Sequence, residues 1–124
     1  MSTRTDCRRG LDRHPLPRAD DRCIELEHPR PRGHRYRFPL HDVSLSGLSF
    51  ELNEMLPGVE EGSSLDGVVV QVGACVLHGD LLVMHVTPEM SPGAICGALF
   101  YPATDEDLIK LKSLVAGLQA ARPQ

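Results

Sequence analysis

Apolar and polar residues alternate in several short segments of this sequence, and this pattern limits what the chain can fold into. The clearest example is residues 48–52, which read Leu-Ser-Phe-Glu-Leu. A period of two puts successive side chains on opposite faces of a β-strand, so that one face is buried and the other meets water. Gly, Pro, Asn and Asp, which are typical of turns, separate these segments. The pattern predicts a mainly β fold.

The predicted strands are short, and their spacing favours antiparallel pairing. Pro39 falls inside one of them, which indicates an edge or a bulge at that point. Residues 68–77 are interpreted as one long or bent strand with a bulge at Gly73, and a turn at residues 78–80 leads into the next strand. Six or so strands of this kind predict a small six-stranded antiparallel β-barrel. The predicted strands cover residues 23–26, 35–40, 48–52, 68–77, 81–86 and 94–100.

A helix is predicted at the C-terminal end, at about residues 104–121. Thr104 is a suitable N-cap, and the acidic residues 105–107 complement the positive end of the helix dipole. An apolar stripe at helical spacing then requires burial, and we expect it to pack across one opening of the barrel, with a dimer interface as the alternative. The stripe consists of Leu108, Leu111, Leu114, Val115 and Leu118.

Charge divides the chain into two unequal parts. Residues 1–37 hold ten of the eleven arginines against six acids, a net charge of +4, whereas residues 38–124 hold three basic residues against eleven acids, a net charge of −8. A basic segment on an acidic body favours a local anion site over a broad nucleic-acid surface. The guanidinium fork suits this role because it binds phosphate bidentately and stacks on flat rings.

The first 20 residues lack apolar periodicity and contain Pro15 and Pro17. Such a segment cannot offset its ordering entropy by burial, so residues 1–20 are predicted to form a flexible arm. Residues 21–122 are predicted to form the barrel with its helix, as one domain. We expect the arm to be mobile without ligand and to become ordered on ligand binding.

Three motifs follow one another along the chain. Residues 8–13 have the form R-R-x-x-x-R, residues 42–47 have the form D-x-S-x-x-G, and residues 96–100 read C-G-A-L-F at the end of a late strand. In this order, with a closing helix, they resemble the PilZ domain, a bacterial receptor module for cyclic di-GMP. The resemblance extends from about residue 8 to residue 118.

The resemblance implies a function as well as a fold. It implies a receptor without catalysis that binds cyclic di-GMP between the arm and the D-x-S-x-x-G turn, and that signals to a protein partner, as in the regulation of motility or biofilm formation. It implies neither a cofactor nor a metal. Arg9 and Arg13 would bind phosphates and guanine edges, and the turn would form the part of the ligand site that lies on the barrel. The implied site residues are Arg8, Arg9, Arg13, Asp42, Ser44 and Gly47.

The chemistry of these residue types fits that role. Arginine can donate two hydrogen bonds, one to guanine O6 and one to N7, and its guanidinium plane can stack on the ring. Asp42 can accept from guanine N–H groups or orient an arginine, and Ser44 can donate to a phosphate or hold the turn. Gly47 permits positive φ or a close approach of two backbones. His41 is expected to point away from Asp42, since neighbouring strand residues face opposite sides, and it is interpreted as outward-facing or ligand-adjacent and not as catalytic.

A second R-x-x-x-R pair, Arg18 and Arg22, leaves the register of the arm open. We favour Arg9 and Arg13 because Arg8 doubles the first arginine and because a Pro-containing link follows. The negative charges of Asp20 and Asp21 would also weaken anion binding by Arg18 and Arg22.

Other classes of protein have less support. The sequence contains no P-loop, G-x-S-x-G or H-E-x-x-H motif, and its six histidines are scattered, so we do not expect an enzyme. A single-stranded nucleic-acid-binding barrel would need aromatic side chains that the core already requires. An adaptor that has lost its ligand and works through protein contacts is the third alternative.

The remaining features limit location and assembly. Residues 1–15 lack an apolar signal segment and no stretch is apolar enough to enter a membrane, so a cytoplasmic protein is expected. The four cysteines lack C-x-x-C spacing, which predicts reduced thiols, with Cys75 and Cys96 in the core. We expect a monomer or a weak homodimer.

Overall fold

Seven strands and one helix follow one another in the computed structural model, which describes residues 14–16, 21–29, 33–54, 56–88 and 93–121. Three of the twenty residues predicted to form the arm fall in these ranges. The elements are β1 (His14–Pro15), β2 (Arg22–His28), β3 (His34–Val43), β4 (Gly47–Leu52), β5 (Ser64–Val72), β6 (Cys75–Pro88), β7 (Ala94–Pro102) and α1 (Asp105–Ala121).

Six of the strands close into an antiparallel barrel. Their order around the barrel is β3-β2-β5-β6-β7-β4, and pairing of β3 with β4 completes the circle. β1 lies outside this circle and pairs with the end of β3. The predicted fold class, a mainly β six-stranded barrel with a C-terminal helix, is therefore confirmed.

The barrel interior is filled by the apolar side chains that alternate along the strands. Phe38 and Phe50 are 2% and 0% exposed and stack with their ring centres 5.9 Å apart. Leu56 and Val59, from the loop between β4 and β5, are also buried and join the same core. The alternation that predicted the strands thus also predicted which of their faces is buried.

The prediction of one bent strand over residues 68–77 was wrong. The chain reverses at residues 73–74, so that β5 ends at Val72, β6 begins at Cys75, and these two residues pair with each other. Gly73 has a φ of 62°, a conformation that glycine adopts without strain and that a two-residue hairpin turn requires. An apolar sequence on both sides concealed this turn.

The turn predicted at residues 78–80 was also wrong, because β6 runs through them without interruption. Gly79 faces the barrel interior, where an added Cβ would lie 2.3 Å from the Tyr101 carbonyl oxygen and 2.8 Å from the Phe100 ring. This glycine is therefore needed for close packing of β6 against β7 and not for a change of chain direction.

The C-terminal helix packs against the barrel as its stripe predicts. Leu111 and Val115 are buried in the common core, and α1 contacts β6, β7 and β1. Leu108, which the stripe placed on the buried side, is 37% exposed instead. It lies in the first turn of the helix, next to Asp107, whose buried side chain holds this end of α1 against β6.

Asp107 links the start of α1 to the barrel. Its carboxylate accepts a hydrogen bond from the Thr104 hydroxyl at 2.7 Å and another from the His78 backbone N–H at 3.0 Å. The Thr104 N-cap in turn accepts from the Asp107 N–H at 3.1 Å. The hydrogen bond from Thr104, followed by that from His78, lowers the pKa of Asp107.

We expect Asp107→Asn to lower the free energy of unfolding at pH 7 by about 1–2 kcal/mol, because it weakens charge-assisted hydrogen bonds. The pKa of Asp107 is lower in the folded state than in the unfolded chain. The contribution of its charge to the free energy of unfolding is therefore complete above the ordinary carboxyl pKa of about 4 and is lost as the pH falls below that value. Urea unfolding at several pH values measures this difference. Asp105→Asn, at an exposed position in the same turn, is the control, and identical pH profiles for the two variants would contradict the assignment.

Candidate functional site

The polar turn between β3 and β4 is held from within by Ser44, which is 1% exposed. The Ser44 hydroxyl oxygen accepts from the backbone N–H groups of Ser46 at 3.3 Å and Gly47 at 3.2 Å, and the hydroxyl lies 3.2 Å from the Gly47 carbonyl. The Ser44 N–H donates to that same carbonyl at 2.8 Å. Of the two roles that the sequence allowed, Ser44 performs the structural one and ties down the turn.

Gly47 brings the turn close to β7. A Cβ on Gly47 would lie 2.2 Å from the carbonyl oxygen of Ala98, so only glycine fits without movement of one strand. The φ of Gly47 is not in the left-handed region. The reason for this glycine is therefore the close approach of two backbones and not a positive φ. The Phe100 N–H also donates to the Ser46 carbonyl at 3.0 Å, so the turn has a fixed position on the barrel.

Asp42 lies in a polar group that sequence reasoning found only in part. The ladder between β3 and β4 shifts register between Leu40 and Asp42, which makes His41 a bulge residue. The His41 Nδ1 is 3.4 Å from the Asp42 carboxylate and 3.3 Å from the Ser49 hydroxyl. Asp42, His41 and Ser49 are called the Asp42 cluster below.

The Asp42 cluster corrects the expectation that His41 points away from Asp42. Strict alternation holds only in a regular strand, and the bulge brings both side chains to one side. Ser49 was missed because a serine on the outward face of a strand is common and carries no motif. The side chain of Asp42 is 15% exposed and that of His41 is 52% exposed, so part of the cluster is open to solvent.

The short strand β1 lies against this turn. His14 pairs with Val43 and Pro15 with Asp42, and the Leu16 N–H donates to the His41 carbonyl at 3.1 Å. His14 is 2% exposed, and neither of its ring nitrogens has a hydrogen-bond partner among the described residues. The N-terminal segment thus joins the barrel beside Asp42.

Of the six predicted site residues, the structure brings Asp42, Ser44 and Gly47 together in one turn. Arg8, Arg9 and Arg13 lie outside the described residues, as does Arg18 of the alternative pair. Arg22 begins β2 and pairs with Val72, as expected of a strand residue.

The other reactive side chains do not form a second site in the described ranges. No group of three or more His, Cys, Asp or Glu side chains there is placed to hold a metal ion. Cys23, Cys75 and Cys96 are free thiols, and burial raises the pKa of Cys96 to about 11. Cys75 is only half buried, which corrects its predicted place in the core. None of the described helices is both long and apolar enough to span a membrane.

We expect Ser44→Ala to lower the free energy of unfolding by about 1–3 kcal/mol, because it leaves buried backbone N–H groups without an acceptor. Chemical unfolding of the variant measures the loss. Ser113→Ala, on the exposed side of α1, is the matched control and should stay within about 0.5 kcal/mol of the parent protein. Equal stability of both variants would contradict the structural role of the Ser44 hydroxyl.

Comparison with known proteins supports the class of fold. No model of a protein family matches the sequence, and no curated protein matches it. Among solved structures, the MrkH complex with c-di-GMP from K. pneumonia matches with a TM-score of 0.77 and 18% identity over 89% of this chain and 52% of MrkH. The PilZ domain of YcgR from Escherichia coli with c-di-GMP matches with a TM-score of 0.74 and 18% identity, over 91% of this chain and 92% of that domain.

A third match is MotI/DgrA, the inhibitor of motility of Bacillus subtilis, with a TM-score of 0.62 and 13% identity over 86% of this chain and 51% of that protein. The chain therefore spans about half of MrkH and of MotI, and nearly all of the YcgR PilZ domain. Identities this low concern the fold. The chain has the fold of the PilZ domain, which confirms at this level the resemblance found in the sequence.

Proposed function

We propose that this protein is a receptor for cyclic di-GMP that binds the dinucleotide on the outer surface of the barrel, between the N-terminal arginines and the turn from Asp42 to Gly47. The observation that carries the proposal is the pairing of β1 with the end of β3, which places Pro15 opposite Asp42. The arm therefore joins the barrel at the turn whose motif the resemblance assigns to the ligand. The similar YcgR domain and MrkH were both solved with c-di-GMP.

The charges of the two parts suit a nucleotide anion. Arg13 directly precedes His14 in the sequence, and Arg9 and Arg8 precede Arg13 by four and five residues. Their guanidinium groups donate to the phosphates and to guanine O6 and N7. The Asp42 carboxylate, which is partly exposed, accepts from guanine N–H donors or orients an arginine.

Ser44 and Gly47 serve this site indirectly. Both are buried. The Ser44 hydrogen bonds hold the turn itself, and Gly47 allows the turn to approach β7 closely. A turn that is already rigid loses little entropy when a ligand binds, which favours affinity. In the proposed site they therefore hold Asp42 in place, whereas Arg8, Arg9, Arg13 and Asp42 touch the dinucleotide.

The proposed output is a change of surface without catalysis. Arginines that repel one another in the free protein are neutralised by the ligand phosphates, so the arm becomes ordered over the barrel. Because β1 contacts both β3 and α1, an ordered arm changes the surface that these elements present to a protein partner. The ligand needs no cofactor or metal in this scheme.

Isothermal titration of the whole chain with cyclic di-GMP tests the proposal. We expect saturable heat with cyclic di-GMP, and little or none with GMP or with an unstructured RNA oligonucleotide. Absence of saturable heat with cyclic di-GMP at low salt would overturn the proposal and favour an adaptor that works without a ligand. Tight and salt-sensitive binding of the oligonucleotide would favour the nucleic-acid alternative instead.

A further inference from the structure

A row of residues that face outward from the barrel continues the Asp42 cluster, and its two middle members, Ser49 and Gly97, are themselves buried. Asp42 pairs with Ser49, Ser49 pairs with Gly97, and Gly97 pairs with His85. The row thus crosses four neighbouring strands, β3, β4, β7 and β6. Neighbouring strands lie about 4.8 Å apart, so the row extends about 14 Å from Asp42 to His85.

His85 owes its place in this row to two local features. The ladder between β6 and β7 shifts register between Val83 and His85, and the shift puts His85 opposite Gly97. Gly97 leaves room for the imidazole, because a Cβ there would lie 2.3 Å from His85 Nε2 and 2.5 Å from its Cε1. The ring therefore fills the space that a side chain at position 97 would take, and it remains exposed.

Both ring nitrogens of His85 lie near other groups of the barrel. Nδ1 lies 3.4 Å from the Thr87 hydroxyl, and Nε2 is the ring atom nearest to the space above Gly97. The exposed imidazole presents a planar aromatic group at the barrel surface. A flat ring in contact with solvent is a surface on which nucleobases stack.

Other aromatic rings of the described chain are not available at this place. Phe38, Phe50 and Phe100 are buried in the core, and Tyr36 packs against it and stacks on Phe38. Tyr101 is exposed on the outer face, but it lies four residues along β7 from Gly97, a distance of about 13 Å. His85 is thus the planar group that the row offers in addition to the polar Asp42 cluster.

We propose that His85 is a further ligand-binding residue whose imidazole packs against a purine base of the bound dinucleotide. The inference rests on the proposed function and deepens it. A cyclic dinucleotide carries two purines, and Asp42 and His85 stand at opposite ends of one row. Asp42 serves one base, as in the proposed function, and His85 supports the other base.

The test is calorimetric titration of the whole chain and of three variants with cyclic di-GMP. Stacking on an aromatic side chain contributes about 1–3 kcal/mol per base, so His85→Ala should weaken binding roughly fivefold to a hundredfold. His85→Phe keeps a flat ring without the nitrogens and should bind within roughly threefold of the parent chain. His34→Ala removes an exposed histidine at the other end of the barrel and should not change affinity.

The outcomes separate the inference from the proposed function. If His85→Ala binds like the parent chain, the inference is wrong and the receptor proposal stands. The same holds if His85→Ala and His85→Phe weaken binding equally, because that result would indicate a polar role for the imidazole. Absence of binding by the parent chain would overturn both. NMR of the complex gives an independent readout, because a guanine H8 resonance should move upfield in the parent complex and less so with His85→Ala.

Discussion

The double variant Arg9→Ala with Arg13→Ala is expected to bind cyclic di-GMP more than a hundredfold more weakly than the parent chain. Each arginine supplies charge-assisted hydrogen bonds worth about 1.5–3 kcal/mol, and about 1.4 kcal/mol corresponds to a tenfold change in affinity. We expect the unfolding midpoint to stay unchanged, because both arginines precede residues 21–122, which the sequence predicts to form the barrel. Calorimetric titration and thermal unfolding of the same samples measure both quantities.

Two comparisons make this result specific. Arg35→Ala removes an exposed arginine that lies 3.4 Å from the Glu25 carboxylate on the barrel, and it should leave affinity within roughly twofold of the parent. If Arg18 and Arg22 were the binding pair instead, Arg18→Ala and Arg22→Ala would abolish binding, and the variant at Arg9 and Arg13 would bind normally. Full binding by the Arg9 and Arg13 double variant would therefore remove that pair from the site.

Gly47→Ala is expected to lower the free energy of unfolding by about 3 kcal/mol and the unfolding midpoint by about 10 °C. The reason is the Ala98 carbonyl oxygen, which would lie 2.2 Å from the new Cβ and cannot move without disturbing the pairing of β4 with β7. The same shift would displace the turn, so binding should weaken as well. Thermal and urea unfolding measure the loss of stability.

Gly117→Ala is the matched control for this substitution. Gly117 lies in α1, and a Cβ there would have nothing within 4 Å. Since alanine favours the helix over glycine by up to about 1 kcal/mol, this variant should be at least as stable as the parent chain. If Gly47→Ala were equally harmless, close approach of the turn to β7 would not be the reason for that glycine.

The sequence predicted the barrel because period two and helical spacing are strong local patterns. Residues 48–52 and the stripe around Leu111 could be assigned to a strand and a helix without knowledge of their partners. The glycines were harder, because Gly73 and Gly79 both interrupt apolar runs. Gly73 turns the chain, whereas Gly79 avoids the Tyr101 carbonyl, and only the tertiary structure separates these causes.

The candidate site was predicted in part for a similar reason. The D-x-S-x-x-G motif located Asp42, Ser44 and Gly47, since it is local in sequence. The contributions of His41 and Ser49 depend on a bulge and on strand pairing, and single-sequence patterns contain neither. Whether Arg9 and Arg13 complete the site stays a prediction.

An NMR titration of the ¹⁵N-labelled chain with cyclic di-GMP tests the central claim most directly, because it reports binding and its place together. The account predicts saturable shifts of backbone amides at His14 and Leu16 and in residues 42–47, with smaller shifts in the loop at residues 56–60, which adjoins the other ends of the strands. Resonances of the arginine arm should broaden or move over the same range of ligand concentrations. A spectrum that excess cyclic di-GMP leaves unchanged, or shifts confined to residues 56–60, would contradict the account.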